Sequence, residues 1–301
     1  MKQINENIIN LYNKWKEGYV RKENDIKNRI KNFLNGRDDI KDFVISEDGK
    51  SISYTGDGFI YIHDYDLING EIPIPFDTVT GTFMLDCKEL KSLKNAPKHI
   101  TNGLHIMDAH KLKSLDGYIE RVDGEIMIIK CGLTSLKNFP SVDKACYFME
   151  CNNISSLEGL PDNCNCISFY KCNGLTSLEG APDEPTNFYV KKCNNVSSLE
   201  GAPRNVKGNF GITECDKIES LEGAPDEVGG IFDCSKNKNL KSIKTNIISV
   251  DIFECDDCPN LTSLEGLPKI INSIRVDKRF TKEDVRSNSD IKKDIVYGKN
   301  Q

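Results

Sequence analysis

The stretch CNNVSSLEGAP, Cys193–Pro203, returns along the chain with small edits: CNNISSLEGLP from Cys151, CNGLTSLEGAP from Cys172 and CDKIESLEGAP from Cys215. Taking the second apolar residue of each L-x-S-L unit as a marker gives Leu93, Leu115, Leu136, Leu157, Leu178, Leu199, Leu221, Ile243 and Leu264, at steps of 21 or 22 residues. So tight a period is the signature of a solenoid. A unit this short cannot bury its apolar face alone, so neighbours must stack.

Each unit has one internal grammar. Five or six residues alternate apolar and polar, as in CISFYK (Cys166–Lys171) and NFYVKK (Asn187–Lys192). That alternation, rich in β-branched and aromatic residues, predicts a strand. A Cys or Asn follows, then two loose residues and L-x-S-L-E-G-x-P, whose Gly and Pro turn the chain back. Stacking such units places the strands in a parallel sheet at a spacing of about 4.8 Å.

The pattern F-x-V-x-x-C-x-x-V-x-S-L-x-G-x-P, Phe188 to Pro203, resembles the leucine-rich repeat, and its 21–22 residue length is similar to the short bacterial type. The SLEGAP variants resemble repeats of phage and bacterial proteins of unassigned role. The resemblance covers roughly residues 58–279. It implies a leucine-rich-repeat solenoid with a curved parallel β-sheet and irregular return segments, and a trade in binding other proteins. The expected organisation is an α-helical N-terminal cap over residues 1–40 and a solenoid over 41–279, regular from about 80. A C-terminal cap or tail with a short helix follows over 280–301.

The 12 cysteines admit three readings: metal site, disulfide ladder or packing position. Cys87, Cys151, Cys172, Cys193, Cys215 and Cys258 stand six residues before their markers, and Asn237 takes the same place before Ile243. The resemblance implies that this position points into the coil and bonds to backbone groups. An Asn there suits such a role and would break a chain of disulfides. Cys131 sits one residue nearer its marker, and Ala109 fills the slot in another coil. The pairs Cys255/Cys258 and Cys164/Cys166 have ligand-like spacing, and four thiolates suit zinc. Yet Cys255 and Cys234 fall at inward apolar positions of their strands, where Cys behaves as a small hydrophobe. Reduced structural thiols, with no metal and no cofactor, are therefore expected. Some disulfide formation stays open, because stacked coils bring Cα atoms within bridging range.

If residues five and three before the ladder position face inward, those between and after face out. This assigns Tyr61, Phe83, Leu85, Met107, Met127, Ile129, Tyr147, Met149, Tyr170 and Tyr189 to an outward apolar face, expected to bind a protein partner. The rim would hold Asp64, Asp86, Asp108, Lys130, Glu150, Lys171 and Lys192. Farther along, the outward set turns polar, through Gly211/Thr213, Asp233/Ser235, Glu254/Asp256 and Arg275/Asp277. A one-residue slip would exchange inward and outward sets. Self-association and cover by the N-terminal helices are the alternatives for this face.

Residues 1–36 show helical periodicity in Ile8, Leu11, Tyr12, Trp15, Tyr19, Ile26, Ile30, Phe33 and Leu34, read as a cap or a separate binding arm. Phe43–Ile62 alternates about an Asp-Gly turn and predicts a hairpin leading into the first coil. Thr281 with Asp284 predicts an N-cap box opening a short closing helix over VRSNSDIKKDIV. No catalytic constellation stands out. His63 and His105 are outward but lack a thiol partner, and the recurring Glu of S-L-E-G belongs to the turn. With 40 basic and 46 acidic residues the net charge is −6, which gives nucleic-acid backbones no general attraction. No apolar run approaches the roughly 20 residues of a membrane span, and the polar start MKQINENIIN is unlike a signal peptide. The expectation is a non-enzymatic, cytoplasmic binder, in the host cytoplasm if phage-encoded, that inhibits or recruits a host protein. The alternative is a virion or homo-oligomeric assembly component using the same face.

Overall fold

A computed structural model describes residues 25–35, 40–116, 118–162 and 164–298. Its core is a parallel β-solenoid. Twelve strands form one continuous front sheet in chain order: Phe59–His63, Thr82–Asp86, Leu104–Met107, Glu125–Ile129, Ala145–Met149, Cys166–Tyr170, Asn187–Lys191, Phe210–Thr213, Ile231–Asp233, Ser249–Glu254, Ile270–Val276 and Asp290–Tyr297. Before the front strand, the earlier coils make a short second strand. Ile52–Tyr54, Phe76–Val79, His99–Ile100, Arg121–Val122 and Ser141–Val142 pair into a second parallel row. The period of 21 or 22 residues is thus one turn of the solenoid.

Two terminal features refine the sequence reading. The hairpin arms are Phe43–Ile45 and Ile52–Tyr54, antiparallel about a turn with Gly49 at φ +70°, and Phe59–His63 leaves them to open the front sheet. Helical residues 25–34 place Ile30 and Leu34 in the core, and Phe33 meets Phe43 and Phe76 edge-on at 6.1 and 5.8 Å. The apolar positions at Ile8, Leu11, Tyr12, Trp15 and Tyr19 lie outside the described residues. At the other end the Thr281/Asp284 capping box does open a helix, Lys282–Asn288. That helix stops sooner than expected. Ser289 is extended, its hydroxyl donates to the Pro268 carbonyl at 2.6 Å, and Asp290–Tyr297 becomes the twelfth strand. Ile291 and Ile295 find Ile271 and Ile274 beside them on the sheet edge, and that pairing overrides local helical preference.

The core is filled by a line of phenylalanines. Phe148 stacks on Phe169 at 4.7 Å, and Phe188, Phe210, Phe232 and Phe253 continue at 5.2–6.3 Å. Two inward positions per strand share one layer, and their volumes trade. Cys146 accompanies Phe148, Cys234 accompanies Phe232, and Cys255 accompanies Phe253, all buried. In these three coils cysteine is the small partner beside the ring, while Phe83, Phe169 and Phe210 share their layer with Leu85, Ile167 and Ile212.

The ladder position closes the far end of each strand. Asn237 is fully buried; its amide nitrogen donates to the Ile212 and Cys234 carbonyls at 2.7 and 2.9 Å. Its oxygen accepts the Cys215 amide at 2.8 Å. Cysteines occupy the same network more weakly. Cys215 donates to Val190 and Thr213 carbonyls at 3.7 and 3.4 Å, and Cys193 sulfur accepts the Cys172 amide at 3.3 Å. Burial pushes the Cys87, Cys131, Cys215 and Cys258 thiols up to about 12, so they stay protonated and inert. All twelve cysteines are free thiols.

A left-handed residue precedes the ladder in most coils: Asp108, Lys130, Glu150, Lys171, Lys192, Glu214, Lys236 and Asp257 have φ between +51° and +63°. This step turns the chain out of the strand, and its amide reaches the next coil, as Lys192 does to the Thr213 carbonyl at 3.0 Å. In S-L-E-G the serine hydroxyl accepts the glutamate amide two residues on, at 3.0 Å for Ser198 and Glu200, which explains the recurring serine. Gly201 then sits at φ +78°, where a Cβ would lie 2.4 Å from the Glu179 Cα.

Urea unfolding tests the ladder. Asn237→Ala should cost about 2–4 kcal/mol, because two carbonyls and an amide lose partners inside the core. Asn237→Cys should cost about 1 kcal/mol, since a thiol keeps a weaker version of the same bonds. Equal losses would show that side-chain volume, not hydrogen bonding, is what the position supplies.

Candidate interaction face

The outward side chains of the front sheet fall into two columns. Strand pairing aligns Tyr61, Met84, His105, Met127, Tyr147, Ser168, Tyr189 and Gly211 in the first. The second runs His63, Asp86, Met107, Ile129, Met149, Tyr170, Lys191 and Thr213 through the same pairs. Tyr61, Tyr147 and Met149 are about two-fifths exposed, at 42, 38 and 39%, while Met107, Met127, Ile129, Tyr170 and Tyr189 are half-buried by one another.

Two of the expected face residues are misplaced. Phe83 and Leu85 are fully buried and point into the core beside Leu104 and Ile106. The cause is local: Asp86 still belongs to its strand, and this coil lacks the left-handed step that separates strand from ladder elsewhere. Counting back from Cys87 therefore slips by one, and a one-residue slip exchanges faces. Met84 is the outward residue there. The signal was present in TFMLD, where the two bulkiest apolar residues share one parity with their paired neighbours. Phe59, 54% exposed at the start of the first front strand, was also missed.

The expected rim also reorganises. Asp108, Lys130, Glu150, Lys171 and Lys192 are the left-handed residues of the strand exits, so they line one border of the face. Asp86 instead stands in the second column, between His63 and Met107. Lys171 and Lys192 lie 5.5 and 5.7 Å from the centre of the Tyr170 ring, and Lys191 and Lys192 hold Glu214 at 3.1 and 3.3 Å.

The apolar half ends at a defined seam. The Tyr189 ring lies over Gly211, where a Cβ would come within 2.9 Å of it, and its hydroxyl accepts the Asn209 amide at 3.1 Å. Beyond the seam the first column carries Asp233, Glu254 and Arg275. Arg275 contacts Glu254 at 2.8 Å, yet burial, followed by the Asp233 charge, leaves the Glu254 carboxyl above its usual range. Ser235 donates to Asp256 at 2.9 Å, and Arg279 meets Asp277 at 2.9 Å. One face thus joins an apolar, methionine-rich half to an acidic half.

Three of the four histidines are engaged locally. His63 stacks on Tyr61 at 6.0 Å, His99 contacts Asp123 at 2.9 Å and His105 contacts Glu125 at 3.4 Å. Among the described residues no three His, Cys, Asp or Glu side chains converge as metal ligands, and no helix is long and apolar enough to cross a membrane. Comparison with protein-family models, with curated proteins and with solved structures gives no match to the chain.

Adjacent residues test the register directly. Met84→Asp places a carboxylate in water and should shift stability by less than about 1 kcal/mol, whereas Leu85→Asp buries one and should cost more than about 4 kcal/mol. Circular dichroism melts of the two variants measure this, and a reversed order would return Leu85 to the outer face.

Proposed function

We propose that the chain is a non-enzymatic interaction module of leucine-rich-repeat type that holds a protein partner against the front face between Tyr61 and Tyr189. One observation carries this reading. The chain has 5 methionines, and every one after Met1 (Met84, Met107, Met127 and Met149) projects from four successive strands on that face. Methionine is unbranched and polarizable, so it adapts to an irregular apolar partner, and it is enriched in interface cores with tyrosine.

Size constrains the partner. Seven strands at about 4.8 Å, two outward residues deep, offer roughly 400 Å². A stable interface takes about 800 Å² from each side, so the apolar strip supplies only half of one. A partner of ordinary affinity reaches past Tyr189 onto the acidic coils, and it presents basic residues to Asp233, Glu254 and Asp256. We read it as a protein with an apolar ridge ending in a basic patch. The SLEGAP resemblance adds the narrower reading of a phage or mobile-element product that inhibits or recruits a host protein by occlusion. Helical residues 25–34 serve in this account as a cap, shielding the first coil's core near Phe43 and Phe76.

The rival is an assembly component that uses the same face for copies of itself. Growth through the sheet edge is disfavoured at the last strand, where Lys292 and Lys293 stand among Asp290 and Asp294.

Sedimentation and capture from the source cell separate the two. The binder is a monomer at micromolar concentration, and the Met127→Asp/Tyr147→Asp double variant lowers capture of its partner at least tenfold, or about 1.4 kcal/mol, without moving its melting temperature. Charge reversal at Asp233 and Glu254 should weaken the same capture and reduce its salt dependence. A concentration-independent oligomer dissolved by the double variant would overturn the binder in favour of assembly.

A further inference from the structure

We infer that Cys146 and Cys164 form a hydroperoxide-sensitive dithiol, which closes to a disulfide between two successive coils. Most thiols of the chain donate to backbone carbonyls along the ladder, as Cys151 does to Ile128 and Met149. Cys164 differs. Its sulfur lies 3.3 Å from the Cys146 sulfur, 18 residues away in the chain, and 3.1 Å from the Cys166 carbonyl.

The placement favours bridging. Cys146 belongs to the paired strand Ala145–Met149, opposite Ile167, and is rigidly held. Cys164 lies in the irregular corner just before strand Cys166–Tyr170, so its backbone is free of the sheet ladder. A disulfide needs its sulfurs at about 2.05 Å, and the corner supplies the short approach. In-register ladder thiols, by contrast, project side by side from equivalent positions. Both sulfurs of the pair are buried, at 0 and 2% exposure, which selects a small oxidant; Cys166 beside them is partly exposed.

The pair also divides its proton unequally. The contact with Cys146 holds the Cys164 thiol below the usual thiol range, while the same contact, followed by burial, pushes Cys146 up. Cys164, outside the strand ladder and next to the partly exposed Cys166, is the sulfur an oxidant reaches first and is taken as the attacking one. Its thiolate displaces one oxygen of the peroxide, which leaves as water or alcohol once protonated, and becomes a sulfenic acid. Cys146 sulfur then attacks the sulfenic sulfur, the S–S bond forms, and the hydroxyl departs with the Cys146 proton as a second water. Two thiols and one hydroperoxide give one disulfide, one alcohol or water, and one water.

Hydrogen peroxide titration of the reduced full-length protein tests this. After quenching, unfolding and alkylation, intact mass should show two fewer alkyl groups, with a linked peptide pair containing Cys146 and Cys164, reversed by dithiothreitol. Cys164→Ser should abolish the loss, Cys166→Ser should leave it intact, and Cys146→Ser should leave a dimedone-reactive sulfenic acid on Cys164. Circular dichroism confirms that each serine variant is folded. Full alkylation at peroxide levels that already oxidise the face methionines would overturn the inference. So would a linkage that maps to Cys164–Cys166 or to neighbouring ladder thiols.

Discussion

The structure depends on how each strand is ended inside the core. A parallel strand that turns away leaves carbonyls at its end, and those buried oxygens need donors. The ladder side chain supplies them. From Cys87, which donates to Ile62, to Cys258, which donates to Cys234, it binds the carbonyl of the second inward residue in the coil before, except in the coil where Ala109 fills the slot. Asn237 donates to that carbonyl and to Cys234 of its own coil and also accepts the Cys215 amide, where a cysteine makes longer bonds. Because the position is fixed relative to its neighbours, strand register is fixed too, and register decides which side chains are core and which are surface. The left-handed residue before the ladder is the cost of that turn, and eight coils accept it with a non-glycine residue.

Much of this was legible from periodicity. The marker leucines give the coil length, the alternation gives the strands, and Asn237 in a cysteine's place marks a position that can hydrogen-bond. What periodicity missed is where the spacing between landmarks changes. In the Cys87 coil the left-handed step is absent, so the distance from ladder to strand shortens by one residue and the counted face inverts. The last coil failed for another reason. DIKKDIV reads locally as helix, and only the open edge beside Ile270–Val276 makes it a strand. The first miss is a local change of spacing, and the second is a non-local fact that a single window does not contain.

The face follows from the scaffold with little freedom left. Inward positions must be apolar through all coils, and they are, from Ile60 to Ile274. Outward positions carry no such obligation, so their change in character across Gly211 is information about something other than folding. Met84, Met107, Met127 and Met149 are dispensable to the core yet cluster, and the acids that follow are only partly neutralised by Arg275 and Arg279. Beneath them, Cys146 and Phe148 share one layer, which is how a chemically distinctive thiol comes to lie under the strand that presents Tyr147 and Met149.

The account stands or falls on those methionines facing water. With methyl-labelled methionine and isoleucine, four of the five methionine resonances belong to the face, and a soluble paramagnetic chelate broadens methyls that solvent reaches. The account predicts broadening of Met84, Met107, Met127 and Met149 at chelate concentrations that leave the buried Ile106 and Ile128 methyls sharp. Four methionine signals as protected as those isoleucines would contradict it, because the face would then be covered or turned inward.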